Sequence, residues 1–123
     1  MLIAFVLIYG VQAKAQTLKR IQFAKGKSSA MVKGNTGRYG ISYVVRANSG
    51  QKLVLNLTPI KEVGIKVETK GTYGETVLLN EEIGGTYEVG LEESGEYTIF
   101  IGSTNNLPVL FTLTVKIAKL ADI

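Results

Sequence analysis

The chain has 123 residues, a formal net charge of +4, 46% hydrophobic residues and 14 glycines, with no cysteine and no histidine. This length suits one compact core, and the hydrophobic share excludes a disordered chain. Without Cys there is no disulfide framework, no thiol nucleophile, no Cys-built zinc site and no lipoprotein anchor; without His the usual general base and the commonest metal ligand are missing. Asp occurs once, at Asp122, so neither a Ser-His-Asp or Cys-His nucleophile nor an Asp-rich calcium loop can be assembled. Only a Glu pair or a Lys/Tyr arrangement could do acid/base work, and none stands out. The chain reads as a non-enzyme with no catalytic residue, cofactor or metal.

From the start, Met1 to Val11 is almost wholly apolar and too short to span a bilayer. Ala13-Lys14-Ala15 follows, a small-x-small pattern that suits signal peptidase. Residues 1–15 are therefore expected to be a signal peptide and 16–123 a single domain, exported to the bacterial periplasm or secreted, with no membrane span in the mature chain. No Lys or Arg precedes the apolar run, which a start placed too late would explain; the alternative is a buried first strand or helix. Export without Cys fits a bacterial compartment better than a eukaryotic secretory route.

The body is a string of period-two runs. Lys19 to Phe23 places Ile21 and Phe23 on one face; Ser28 to Lys33 is a second run; Ile41 to Ala47 sets Ile41, Tyr43, Val45 and Ala47 together. In Lys52 to Thr58, Leu53, Leu55 and Leu57 point inward. Gly64 to Thr69, Thr76 to Leu79, Thr86 to Leu91 and Glu96 to Gly102 follow, and Val109 to Ile117 alternates five apolar residues against Thr112, Thr114 and Lys116. Gly-, Ser- and Asn-rich turns separate the runs. This spacing predicts an all-β, antiparallel two-sheet β-sandwich of about eight strands.

Charge is segregated along the chain. From Gln16 to Lys61 all nine charges are positive; from Glu62 to Glu96 nine glutamates face only Lys66 and Lys70. Either the two halves pair and neutralise each other as a weakly bridged surface, or the protein has a basic and an acidic end that steer charged partners. A basic protein would suit the acidic part, and wall polymer or lipid headgroups the basic part. Nucleic acid is not an expected partner, because most of the tyrosines alternate with the core.

Binding residues of a sandwich sit on loops at one end of the sheets. Gly34 to Gly40 is glycine-flanked and presents Arg38 beside Tyr39, residue types that anchor protein interfaces. Gly102 to Pro108 is neutral and polar and exposes Leu107, while Gly71 to Gly74 presents Tyr73. For each loop the plainer reading is an ordinary hairpin connection, with Tyr39 or Tyr73 folded back over a sheet edge.

The segment Phe23 to Ala30, then Tyr43 to Ala47, then Ser49-Gly50-Gln51-Lys52 and its strand resembles the inhibitors of goose-type lysozyme, small periplasmic β-sandwich proteins of bacteria. The same frame is similar to the bacterial pre-peptidase C-terminal domain, with Ser94-Gly95-Glu96-Tyr97 near the end and Phe111 to Val115 closing. The first resemblance implies a loop end that blocks a lysozyme cleft, carried by Arg38, Tyr39, Thr104, Asn105 and Asn106. This chain departs from the inhibitors by having Asn105 and Asn106 where they carry basic residues. The second implies a carbohydrate- or cell-wall-binding module without inhibitory action. The expected partner is thus a lysozyme-like muralytic enzyme or a cell-wall polysaccharide.

Overall fold

A computed structural model describes residues 17–71 and 74–120; the expected signal peptide lies outside them, as does Tyr73. In chain order the strands are β1 (Thr17–Arg20), β2 (Ser29–Asn35), β3 (Ile41–Ala47), β4 (Gln51–Thr58), β5 (Val63–Gly71), β6 (Gly74–Glu81), β7 (Gly85–Gly90), β8 (Gly95–Ser103) and β9 (Leu110–Lys119). They form a four-stranded sheet in the order β2-β9-β4-β7 and a five-stranded sheet in the order β1-β3-β8-β5-β6. The two-sheet sandwich read from the alternation is the fold, with nine strands among the described residues.

Side-chain alternation is what joins the layers. In the first sheet Phe111, Leu113 and Val115 of β9 stand in register with Gly34, Val32 and Ala30 of β2, and Leu113 and Val115 pair with Leu57 and Leu55 of β4. In the second, Ile41, Tyr43 and Val45 of β3 align with Ile101, Ile99 and Tyr97 of β8. Ile101 and Ile99 align in turn with Ile65 and Val67 of β5. All but the half-buried Ala30, Val32 and Gly34 belong to one buried cluster. Each large aliphatic side chain withdrawn from water contributes about 1.5–3 kcal/mol, so the sandwich holds without cross-links. Tyr43 and Phe111 meet edge to face across the layers, centroids 6.2 Å apart at 80°.

Two details differ from the sequence reading. The first strand ends at Arg20, and the chain turns at Ala24 to Lys27 rather than running straight through Phe23. Ile21 is still buried, its N–H donating to the Val44 carbonyl at 2.9 Å. Strand β1 also runs parallel to β3, pairing Thr17 with Ile41 and Arg20 with Val44, so one pair departs from an otherwise antiparallel arrangement.

Segregated charge in sequence does not become segregated charge in space. The strand order sets β4 beside β7 and β3 beside β8, interleaving basic and acidic halves. Arg20 reaches Glu96 at 2.6 Å and Lys52 reaches Glu88 at 3.0 Å, each pair joining the first half to the second within one sheet.

Candidate functional site

The topology sends four connections to one end of the sandwich: residues 36–40, 59–62, 82–84 and 104–109. We call this the loop end. Residues 21–28, 48–50 and 91–94 lie at the far end, where Gly71 and Gly74, the flanks of Tyr73, also pair.

At the loop end the β2–β3 connection is shaped rather than loose. Gly37 donates its N–H to Asn35 Oδ1 at 2.8 Å, and Gly40 donates to the Thr36 carbonyl at 2.9 Å. Thr36 is buried; its hydroxyl donates to the Gly37 carbonyl and accepts the Val109 N–H at 3.0 Å. Gly37 and Gly40 take φ of +60° and +87°, which other residues rarely adopt, and so turn the chain on either side of Arg38 and Tyr39. These two glycines fix the course of the loop. Tyr39 is 56% exposed.

The β8–β9 connection is equally ordered. The Asn105 side-chain oxygen accepts the Ser103 hydroxyl at 2.8 Å and the Leu107 N–H at 3.0 Å. Asn106 sits at φ 65°, a conformation Asn tolerates better than most residues. Asn105 therefore acts chiefly by shaping the loop, a role its residue type allowed but its position alone did not reveal.

Arg38, Tyr39, Asn105, Asn106 and Leu107 line one open depression of about 550 Å³. That volume would suit a small ligand, yet every lining residue is exposed, so nothing would enclose one. The surface suits a macromolecular partner instead. Among the described residues no carboxylate pairs with Arg38. Thr104 is exposed but lies on the adjoining groove with Lys66, Asn80 and Phe100, its N–H donating to the Glu62 carbonyl at 3.2 Å. Four of the sequence-derived residues thus come together, Thr104 stands beside them, and Tyr73 falls outside the described residues.

Sequence reasoning missed the apolar part of this end. Ile60, Ile83 and Leu110 are 58%, 51% and 74% exposed, alongside Tyr39 and Leu107. The signal was present: Ile60 and Ile83 are apolar residues inside turns, outside any alternation. Among the described residues no cluster of acidic or metal-ligating side chains could hold a metal, and no helix is long and apolar enough to cross a membrane.

The Ser-Gly-x-Tyr motif is architectural. Tyr97 is buried at the far end and donates its hydroxyl to the Glu93 carbonyl, and Ser94 Oγ accepts the Ser49 N–H at 2.9 Å. This is the local hydrogen bond of a tyrosine corner.

No protein-family model matches the sequence, and no curated protein matches it. Solved structures do. A periplasmic lysozyme inhibitor of g-type lysozyme, PliG, from Aeromonas hydrophila aligns with a TM-score of 0.72 and 26% identity, covering 82% of this chain and 96% of that one. A mutant of the Escherichia coli inhibitor of g-type lysozyme aligns with a TM-score of 0.64 and 23% identity over 84% of this chain and 99% of its own. The pre-peptidase C-terminal domain of a Bacillus anthracis collagenase shares the fold at a TM-score of 0.50 and 11% identity, covering 83% and 95%. Both resemblances read from the sequence are therefore found among the structural neighbours.

Proposed function

We propose that this chain is an exported, non-catalytic protein that inhibits a goose-type lysozyme through the loop end. The observation that carries this reading is the 26% identical PliG neighbour, aligned over nearly its whole length. The exposed Arg38–Tyr39 tip beside Asn105 and Asn106 supports it. A rigid pair of loops loses little conformational entropy on docking, and an aromatic beside an arginine is a frequent interface anchor. Analogy with these neighbours supports a periplasmic location, and the expected route is export with removal of residues 1–15; mass spectrometry of the exported protein should find Gln16 at its N-terminus.

The test is wall lysis by goose-, chicken- and invertebrate-type lysozymes in the presence of the purified protein. Inhibition of the goose-type enzyme at micromolar excess is expected, and no slowing of any lysozyme would end the proposal. Replacing Arg38 and Tyr39 together by Ala should raise the half-inhibitory concentration about 100-fold, roughly 3 kcal/mol of interface energy, with thermal stability unchanged. Retention of the protein on peptidoglycan without inhibition would support the wall-binding reading instead.

A further inference from the structure

The two missed isoleucines are held out by construction. Gly84 donates its N–H to the Ile60 carbonyl at 2.8 Å, which locks the β6–β7 loop onto the β4–β5 loop. The seat admits no side chain: a Cβ on Gly84 would collide with the Pro59 carbonyl and stand 2.7 Å from that of Leu57. The Tyr87 hydroxyl donates to the Ile83 carbonyl at 3.0 Å and props the loop from beneath. The Thr104 N–H, bonded to the Glu62 carbonyl, joins this pair of loops to the one that carries Asn105. Backbone bonds therefore run from the clasped loops to the β8–β9 loop, and from Val109 on to Thr36 beside Arg38 and Tyr39.

Folding gains nothing by exposing two isoleucines on a locked framework, whereas an interface does. A stable protein–protein contact takes about 20–30 residues a side. The depression between Arg38 and Leu107 offers only five. The partner must therefore rest on neighbouring surface, and Ile60 and Ile83 are the apolar side chains that the 59–62 and 82–84 connections supply there. Three exposed carboxylates, Glu62, Glu81 and Glu82, flank them against one exposed ammonium, Lys61, which leaves the rim net acidic. An enzyme that grips an anionic wall polymer carries cations around its cleft, and this acidic rim is complementary to them.

We infer that Ile60 and Ile83 form a second anchor for the muralytic enzyme, an apolar pair with a net acidic rim that lies across the β8–β9 loop from the Arg38–Tyr39 contact and widens it to a full interface. The inference rests on the proposed inhibitory function. Its test is inhibition of the goose-type lysozyme by the wild-type protein, by Ile60→Ser, Ile83→Ser and their double variant, and by Met31→Ser. Met31 is 64% exposed on β2, away from the loop end, and serves as the control.

The double variant should raise the half-inhibitory concentration tenfold or more, and Met31→Ser should leave it unchanged. If the wild type inhibits and the double variant inhibits equally well, the second anchor is overturned while the inhibitory function stands. If the wild type inhibits no lysozyme, both readings fall. Concentration-dependent dimers that vanish in the double variant would assign the pair to self-association and overturn the inference. Should the double variant fold poorly, Glu82→Lys probes the same rim: a severalfold slower association with the lysozyme supports the inference, and an unchanged rate counts against it.

Discussion

At the far end of the sandwich, Gly50 donates to the Leu91 carbonyl, Leu91 to that of Gln51 and Leu120 to that of Gly50, while Tyr97 sits out of solvent. At the loop end an equally dense set of backbone bonds holds Tyr39, Ile60, Ile83 and Leu107 out in water. Order is thus not what separates the two ends. At one, hydrogen bonding closes the core; at the other, it presents side chains that contribute nothing to the core. Substitutions at the far end should therefore move stability and leave binding alone, and substitutions at the tips of the loop end should do the reverse.

The largest effect that would sharpen this contrast lies just beneath the loop end, at Gly34. A Cβ there would stand 2.8 Å from a Phe111 ring carbon and 2.9 Å from the Tyr43 hydroxyl, inside the edge-to-face pair. Gly34→Ala should cost about 2–3 kcal/mol by overpacking, about 10–20 °C in melting temperature for a domain near 100 residues. The folded fraction should still inhibit.

At the far end, Tyr97→Phe removes the hydroxyl that bonds the Glu93 carbonyl and should cost about 1 kcal/mol in a urea titration, with inhibition unaltered. A parallel loss of inhibition would break the division between the ends.

A third effect is set by pH. Burial holds the Tyr43 and Tyr97 phenols above the ordinary tyrosine value near 10, and burial followed by the Glu81 carboxylate does the same for Tyr87. The unfolded chain therefore releases these protons first, and above pH 10 the folded state binds more of them. Stability should be fully present below pH 10 and fall as pH rises through the folded values, which melting curves between pH 8 and 11.5 would record.

The smallest effect is Arg20→Ala. Its ion pair with Glu96 is about half exposed on both sides, so the change should cost under about 1 kcal/mol and disappear in high salt.

The fold was legible because its signal is local. Leu53, Leu55 and Leu57, or Phe111, Leu113 and Val115, announce a buried face by spacing alone. The course of the first strand was not, because its parallel partner β3 lies twenty-odd residues on and no short-range pattern encodes that pairing. The site was half legible. Arg38 and Tyr39 stand between glycines in a turn, and residue type pointed to them. Ile60 and Ile83 sit in separate turns whose meeting depends on the Gly84 seat, a contact between strands that only the folded chain brings together. The charge pattern left two readings open, and strand order decides for pairing between the halves, since it mixes what the sequence keeps apart.

The parallel course of β1 decides where attachments belong. Thr17 stands level with Ile41, so the polypeptide enters the sandwich beside the Arg38–Tyr39 tip, whereas Leu120 leaves it at the opposite pole, bonded to Gly50. A purification handle, dye or surface linker placed upstream of Thr17 would crowd the proposed contact. One placed after the last strand would leave that contact clear.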